Sequence, residues 1–274
     1  MGLRVNTNVA SINAQRNLMN TTDRLSRSLE RLSSGLRITR ASDDAAGLAI
    51  SEGFRAEIRS LVQAQRNAND GISMLQIAEG ALNESSSLLI RMRELAVQSA
   101  NGTLGTSERS SLDSEFQALV SEISRVANVT EFNGTNVLNS TSVTVTFQVG
   151  INNTSNDRIT VTGVNATATG LSVQSLSVGG LTGAQAAISQ LDAAISSLAS
   201  LRAQFGTAQN RLESTIRSIA VSVENTSAAE SRIRDVDVAN ETAELTRNQV
   251  LQQAGLSVLA QANVSTQSAL TLLQ

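Results

Sequence analysis

Residues 54–96 read FRAEIRSLVQAQRNANDGISMLQIAEGALNESSSLLIRMRELA, and the spacing of the apolar side chains in this stretch decides the fold class. Starting at Phe54, every seventh residue is apolar: Phe54, Leu61, Ala68, Leu75, Leu82, Leu89 and Ala96. In a chain that is 41% hydrophobic, such a row arises by chance in only about one window in a hundred, so it reads as a coiled-coil seam. Ile58 and Ile72 add apolar contacts four residues beyond two of these positions. Asn69-Asp70-Gly71 and Glu79-Gly80 are poor helix formers, each glycine costing about 1 kcal/mol relative to alanine, yet the row passes through both. A single helix of roughly 50 residues is expected.

A second row occupies the C-terminal half, with Ile188, Leu191, Ile195, Leu198, Phe205, Leu212, Ile216, Ile219 and Val223 at spacings of three, four and seven. It predicts another long helix facing a partner. A shorter helix is expected over residues 110–126, with Leu112, Phe116, Leu119, Val120 and Ile123 on its apolar side. Between the helical halves the period changes to two. Val143, Val145, Phe147 and Val149 alternate with Thr144, Thr146 and Gln148, and a polar turn over 152–157 leads into Ile159-Thr160-Val161-Thr162. This is a hairpin pattern, which Leu171, Val173, Leu176 and Val178 are expected to extend by a further strand.

The composition says what such a chain can and cannot do. It has no Pro, Cys, Trp, Tyr or His, and all 21 of its basic residues are arginine. Proline most reliably breaks a helix, so its absence favours long helices. Without His, Cys or Lys there is no imidazole base, thiolate nucleophile, Schiff base or usual zinc site. No cofactor is expected, and an enzyme is not expected. A carboxylate-dependent hydrolase is disfavoured because no aromatic sugar platform is present. A net charge of −3 argues against nucleic-acid binding. No run of 18 apolar residues offers a membrane span, and the opening residues 1–8 lack the apolar core of a secretory signal.

Both ends carry stripes of their own. Residues 9–36 place Val9, Ile12, Met19, Leu25, Leu29, Leu32 and Leu36 near helical spacing, and residues 245–273 do the same with Leu245, Leu251, Ala254, Val258, Leu259, Ala262, Leu270 and Leu273. Isolated helices of this length are marginal in water. The ends must therefore pack against each other or against further copies. The fold class read from these patterns is mainly α, with long coiled-coil-like helices from both chain ends packed together and a small β-hairpin region in the middle.

Specific motifs now come into view. Leu32-Ser33-Ser34-Gly35-Leu36-Arg37-Ile38, Asp43-Asp44-Ala45-Ala46-Gly47-Leu48-Ala49-Ile50-Ser51, Asp70-Gly71-Ile72-Ser73, Glu79-Gly80-Ala81-Leu82-Asn83-Glu84 and Arg91-Met92-Arg93-Glu94-Leu95-Ala96-Val97-Gln98 resemble the N-terminal signature of bacterial flagellin. Residues 252–263, QQAGLSVLAQAN, are similar to its C-terminal signature. The resemblance covers about 1–140 and 180–274 and leaves only the β segment generic.

The resemblance implies a structural subunit that self-assembles into the extracellular helical flagellar filament for swimming motility. It also implies export without a cleaved signal peptide, which a cysteine-free chain suits because no disulfide can obstruct threading. It places residues 1–43 with 235–274 in an inner, D0-like domain. Residues 44–234 form an outer, D1-like domain with a hairpin at about 142–178, and large outer domains are absent. Implied partners are further copies of itself, the flagellar export apparatus, a flagellin chaperone and the filament cap. The runner-up is a hook-filament junction protein, which shares the terminal helices. A signalling coiled coil fits poorly because it should lack the hairpin.

Candidate sites follow. The subunit interface is assigned to Val9, Ile12, Leu25, Leu29, Leu32, Leu36, Leu251, Val258, Leu259, Leu270 and Leu273. Arg232, Arg234, Asp235 and Asp237 alternate in charge and read either as a salt-bridged joint between domains, favoured by the resemblance, or as an exposed turn where such pairs contribute little. Asp43-Asp44 could ligate a metal only with further oxygen ligands, whereas capping the long helix needs nothing more, and capping is favoured. Arg91 and Leu95 share a helix face at spacing four. The resemblance to flagellins recognised by Toll-like receptor 5 carries that role onto Arg91, Glu94, Leu95 and Glu115, although Ile90 stands where recognised relatives often have Gln. The competing reading is that these residues serve subunit packing. Asn101, Asn133, Asn139, Asn153 and Asn165 match an Asn-x-Ser/Thr pattern that arises readily by chance in such a chain. Thr144, Thr146, Thr160 and Thr162 are weak candidates for O-glycosylation.

Overall fold

The structure is a computed structural model that describes residues 7–271, with side-chain surroundings through residue 264. In chain order the elements are α1 (Val9–Ser34), α2 (Ala45–Ser99), α3 (Thr106–Val129), β1 (Glu131–Phe132), β2 (Thr135–Asn136), β3 (Thr144–Gln148), β4 (Arg158–Thr162), α4 (Leu181–Arg234) and α5 (Val238–Thr271). The chain divides into two compact units: Met1–Ala56 with Asn225–Gln274, and Glu57–Glu224. The helix breaks at 35–44 and 235–237, where the resemblance draws its domain boundary, both fall within the first unit.

The central unit is organised by the α2 seam. Leu61, Ala64, Ala68, Gly71, Leu75, Ala78, Leu82, Ser85, Leu89, Met92, Ala96 and Ser99 are all buried, at spacings that alternate strictly between three and four. This is the two-position heptad pattern of knobs-into-holes packing. Ala184, Ala187, Leu191, Ala194, Leu198, Phe205, Leu212 and Ile219 form the matching buried row on α4. The two helices run antiparallel here, as the pairs Arg93 with Asp192 (2.7 Å) and Arg202 with Glu79 (3.6 Å) fix. α3 adds Phe116, Val120, Ile123 and Ala127 to the same core. Fully burying one leucine contributes about 1.5–3 kcal/mol relative to leaving it exposed.

The poor helix formers do not break α2, and for Gly71 the reason is packing. A Cβ there would lie 3.1 Å from Leu212 Cδ1 and 3.2 Å from two ring carbons of Phe147. The glycine lets α4 and the hairpin approach the helix. Gly80, by contrast, faces open space.

β3 and β4 pair antiparallel with Thr144 opposite Thr162 and Gln148 opposite Arg158. Ile159 and Val161 point into the core and Thr144, Thr146, Thr160 and Thr162 point out, so the period-two reading holds there. The further strand does not form, and the strands end at Thr162 rather than near 178. Residues 166–178 instead make consecutive tight turns: Leu171 N–H donates to Thr167 O, Val173 N–H donates to Ala168 O, and Ser172 has a φ of +59°. Leu171, Val173 and Val178 are buried all the same. Turns satisfied by their own backbone allow apolar residues to be buried without a sheet partner. A small hairpin, β1–β2, was not expected from the strand patterns. Its turn is Asn133-Gly134, at φ +50° and +74°, the dipeptide that suits a two-residue hairpin turn.

In the terminal unit α1 pairs antiparallel with α5. Asn8 Nδ2 donates to Ala262 O (2.9 Å), Ser11 Oγ to Asn263 Oδ1 (2.9 Å), and Arg31 lies 3.8 Å from Glu241. The facing rows again alternate threes and fours: Ser11, Ala14, Leu18, Thr21, Leu25, Ser28 and Leu32 against Glu241, Leu245, Asn248, Gln252, Gly255, Leu259 and Ala262. Leucines at Leu18, Leu25, Leu32, Leu245 and Leu259 alternate in these rows with small or polar residues. α1 ends at Gly35, whose left-handed φ of +73° lets its N–H reach Arg31 O. α2 begins under a cap: Asp44 Oδ1 accepts from Gly47 N–H at 2.8 Å, and Asp43 Oδ2 accepts from Thr39 and Arg40. Both carboxylates are thus occupied by capping and loop closure. Asp44→Ala is expected to cost about 1 kcal/mol, read as a lowered thermal midpoint by circular dichroism.

Candidate assembly interface

The chain carries large apolar side chains that its own packing leaves in solvent. On α1, Val9 (58% exposed), Ile12, Met19 and Leu29 are exposed, and on α5 so are Val250, Leu251, Leu256, Val258 and Val264. Each lies off the row that faces the partner helix. Leu25, Leu32, Leu36 and Leu259 are half-buried within the unit instead. The expected interface residues therefore divide: Val9, Ile12, Leu29, Leu251 and Val258 are exposed, Leu25, Leu32 and Leu259 lie on the rows of the intrachain pair, and Leu36 bridges Asp235. Leu270 and Leu273 lie outside the residues whose side chains are described. Met19, Val250, Leu256 and Val264 are exposed in the same way and are not among the expected residues. Their signal is present in the sequence: an apolar residue off the heptad positions of a paired helix lies away from the row that faces the partner helix.

The alternating-charge segment also resolves into roles. Arg234 donates to Glu52 at 2.7 Å, and Arg55 reaches Glu52 at 2.8 Å and Glu230 at 3.8 Å. Asp235 forms an antiparallel bridge with Leu36, with Arg37 N–H donating to Arg234 O and Val236 N–H to Gly35 O. Asp237 caps α5 through Ala239 and Asn240 N–H. Arg232 is exposed. All these contacts lie within the terminal unit, where they tie the two chain crossings together.

On α2, Arg91 sits between Glu115 of α3 (2.8 Å) and Glu94 (3.0 Å), exposed to solvent. Leu95 is wholly buried in the core. Spacing four brings the two Cβ atoms to neighbouring turns, but the residues point to opposite sides of the boundary between core and solvent. Of the four, Arg91, Glu94 and Glu115 are exposed, and the apolar surface beside them comes from Ile90 and Val97, each 50% exposed.

These pairs set the pH response. The hydrogen bond from Arg234 and then that from Arg55 hold Glu52 below its ordinary carboxylate value, the Arg93 bond does the same for Asp192, and the Arg40 N–H followed by the Thr39 hydroxyl does so for Asp43. A depressed carboxylate contributes stability that is present above its unfolded value and lost as pH falls through its folded value. Stability is therefore expected to be flat from neutral pH to about pH 5 and to decline below about pH 4, as an acid titration followed by circular dichroism would record. Glu115 and then Glu94 raise Arg91 above the ordinary guanidinium value, and Asp192 does the same for Arg93. That contribution is lost only beyond the guanidinium range, at the alkaline extreme.

Among the described residues no cluster of three or more acids, His or Cys could hold a metal ion, and no helix is long and apolar enough to cross a membrane. Comparison with known proteins gives a consistent result. The model of the bacterial flagellin N-terminal helical region matches residues 5–143, and that of the C-terminal helical region matches residues 188–273. A flagellin of Halalkalibacterium halodurans is 47% identical over 270 residues, covering 98% of this chain and 99% of the relative. The flagellar filament 33 kDa core protein of Treponema phagedenis is 43% identical over 284 residues, with 98% and 99% covered. The crystal structure of Bacillus cereus flagellin is similar at a TM-score of 0.51 and 33% identity, covering 60% of this chain and 94% of that one. A putative flagellar hook-associated protein from Vibrio parahaemolyticus shares the fold, at a TM-score of 0.56 and 16% identity, covering 70% of this chain and all of that one. Two family regions in order, at near full-length identity to named members, place this chain in the bacterial flagellin family.

Proposed function

We propose that this chain is the structural subunit of a bacterial flagellar filament, polymerising through the apolar faces of α1 and α5 that it leaves exposed. The observation that carries the reading is this exposed apolar surface on the two terminal helices of a flagellin. A seam of leucines alternating with small and polar residues holds the pair together while Ile12, Val258 and their neighbours wait for further copies. The role is mechanical, with torque carried through packed helices, and no catalytic role is assigned. In this reading residues 1–43 with 235–274 belong to the inner domain of the filament and residues 44–234, with the hairpin, to the outer one. Arg232, Arg234, Asp235 and Asp237 stand at the boundary of these two stretches of sequence as their joint.

The site of action is outside the cell, reached through the flagellar export apparatus without a cleaved signal peptide, with a chaperone before export and the filament cap after it. The junction-protein alternative is not favoured, because the full-length relatives are named flagellins and filament core proteins, whereas the hook-associated likeness is one of fold.

A second partner rests on the Arg91 cluster: recognition of the monomer by Toll-like receptor 5 through Arg91, Glu94 and Glu115, with Leu95 supporting them from the core. Arg91→Ala is expected to reduce receptor activation by monomer at least about tenfold, the loss expected on truncating one partner of a charge-assisted contact. Unchanged activation in a reporter-cell assay would remove the receptor from the account. The filament reading itself is tested by adding sheared filament seeds to purified chain and following elongation.

A further inference from the structure

The absence of lysine has a physical consequence once the ion pairs are known. Every ion pair among the described residues has arginine as its cation: Arg91 with Glu94 and Glu115, Arg93 with Asp192, Arg125 with Glu122, Arg202 with Glu79, Arg217 with Glu213, and those of the terminal unit. The sequence also lacks His, Cys and Tyr. Those residues and lysine are the side chains that titrate between about pH 6 and about pH 11. What remains is carboxylates, which ionise below that range, and guanidiniums, which stay charged above it.

We propose that this chain is built to hold one side-chain charge state, and with it its fold and its polymer, from weakly acid to strongly alkaline solution, so that it works in an alkaline medium. The 21 arginines against 24 carboxylates keep the net charge near −3 throughout. With lysines in their place, deprotonation would leave all 24 carboxylates unbalanced. Self-repulsion of that size loosens compact states and drives subunits apart. Each pair would also become a lone carboxylate beside a neutral amine. Single exposed pairs are worth little; the device lies in the whole set remaining charged together. The raised guanidinium values of Arg91, Arg93 and Arg125 act in the same direction.

The polymer part of the proposal rests on the filament reading, and the fold part does not. The test compares the full chain with a variant carrying Arg59→Lys, Arg66→Lys, Arg91→Lys, Arg93→Lys, Arg125→Lys and Arg217→Lys. Thermal midpoints are read by circular dichroism, and polymer by sedimentation, at about pH 8 and about pH 11. The parent is expected to shift by less than about 2 °C and to keep its polymer, while the variant falls by about 5 °C more than the parent. Comparing each protein with itself removes any cost of the substitutions at pH 8. A parent that melts markedly lower at the alkaline pH, or a variant that tracks the parent, overturns the proposal. A chain that forms no polymer at either pH contradicts the filament reading, and the melting comparison still decides this one.

Discussion

Val258→Asp is expected to abolish filament elongation while leaving the soluble chain folded as before. Val258 is 58% exposed, and the α5 row that faces α1 passes through Gly255, Leu259 and Ala262 instead. In the monomer an aspartate there stays in water and disturbs no contact, and its helix propensity is close to that of valine. In a polymer that covers this face, the same carboxylate is taken out of water with no cation to receive it. The effective penalty is several kcal/mol per buried ion. Since each 1.4 kcal/mol is a factor of ten in association, the critical concentration should rise by at least about a hundredfold. Sedimentation of seeded reactions measures this, and circular dichroism confirms that helicity is kept. Ile12→Asp on α1 should act alike, being 56% exposed and off the paired row.

Gly71→Leu is expected to have the largest effect on the fold itself. Even a single Cβ at this buried position would stand 3.1 Å from Leu212 and 3.2 Å from Phe147, and leucine adds three more carbons behind it. Both neighbours are held, Leu212 by full burial on α4 and Phe147 by the β3–β4 register. Overpacking of this kind costs about 1–3 kcal/mol and more where neighbours cannot move. We expect about 3 kcal/mol, seen as a drop of roughly 5 °C in the midpoint of a protein of this size. Gly80→Ala is the control. It faces open space on the same helix and should stabilise by up to about 1 kcal/mol through helix propensity.

Those two glycines look alike in the sequence, and this marks where sequence reading stops. Heptad periodicity made α2, α4 and their partnership legible, because the row from Leu61 to Ala96 is set by one element's own geometry. The β3–β4 hairpin was legible for the same reason. Leu171, Val173, Leu176 and Val178 were misread because an apolar pattern reports burial and not pairing: Leu171, Val173 and Val178 are buried and Leu176 partly so along turns that form no strand. Asn133-Gly134 was a sufficient signal for β1–β2, hidden by the shortness of the strands it joins. At the terminal helices, periodicity found apolar residues but could not say which face each one serves. Ile12 and Leu25 look equivalent until α5 is placed, and then Leu25 turns inward while Ile12 remains exposed. Leu95 was grouped with Arg91 because helical spacing gives neighbourhood along a face but not the depth of each position.

In the filament reading this chain elongates a helical polymer by covering the exposed faces of its terminal helices. Electron microscopy of the purified chain, before and after addition of sheared filament seeds, tests it most directly. The account predicts micrometre-long filaments growing from the seeds with the parent chain and none with Val258→Asp. A parent chain that stays soluble or only caps the seeds, or a Val258→Asp chain that elongates them as the parent does, would contradict it.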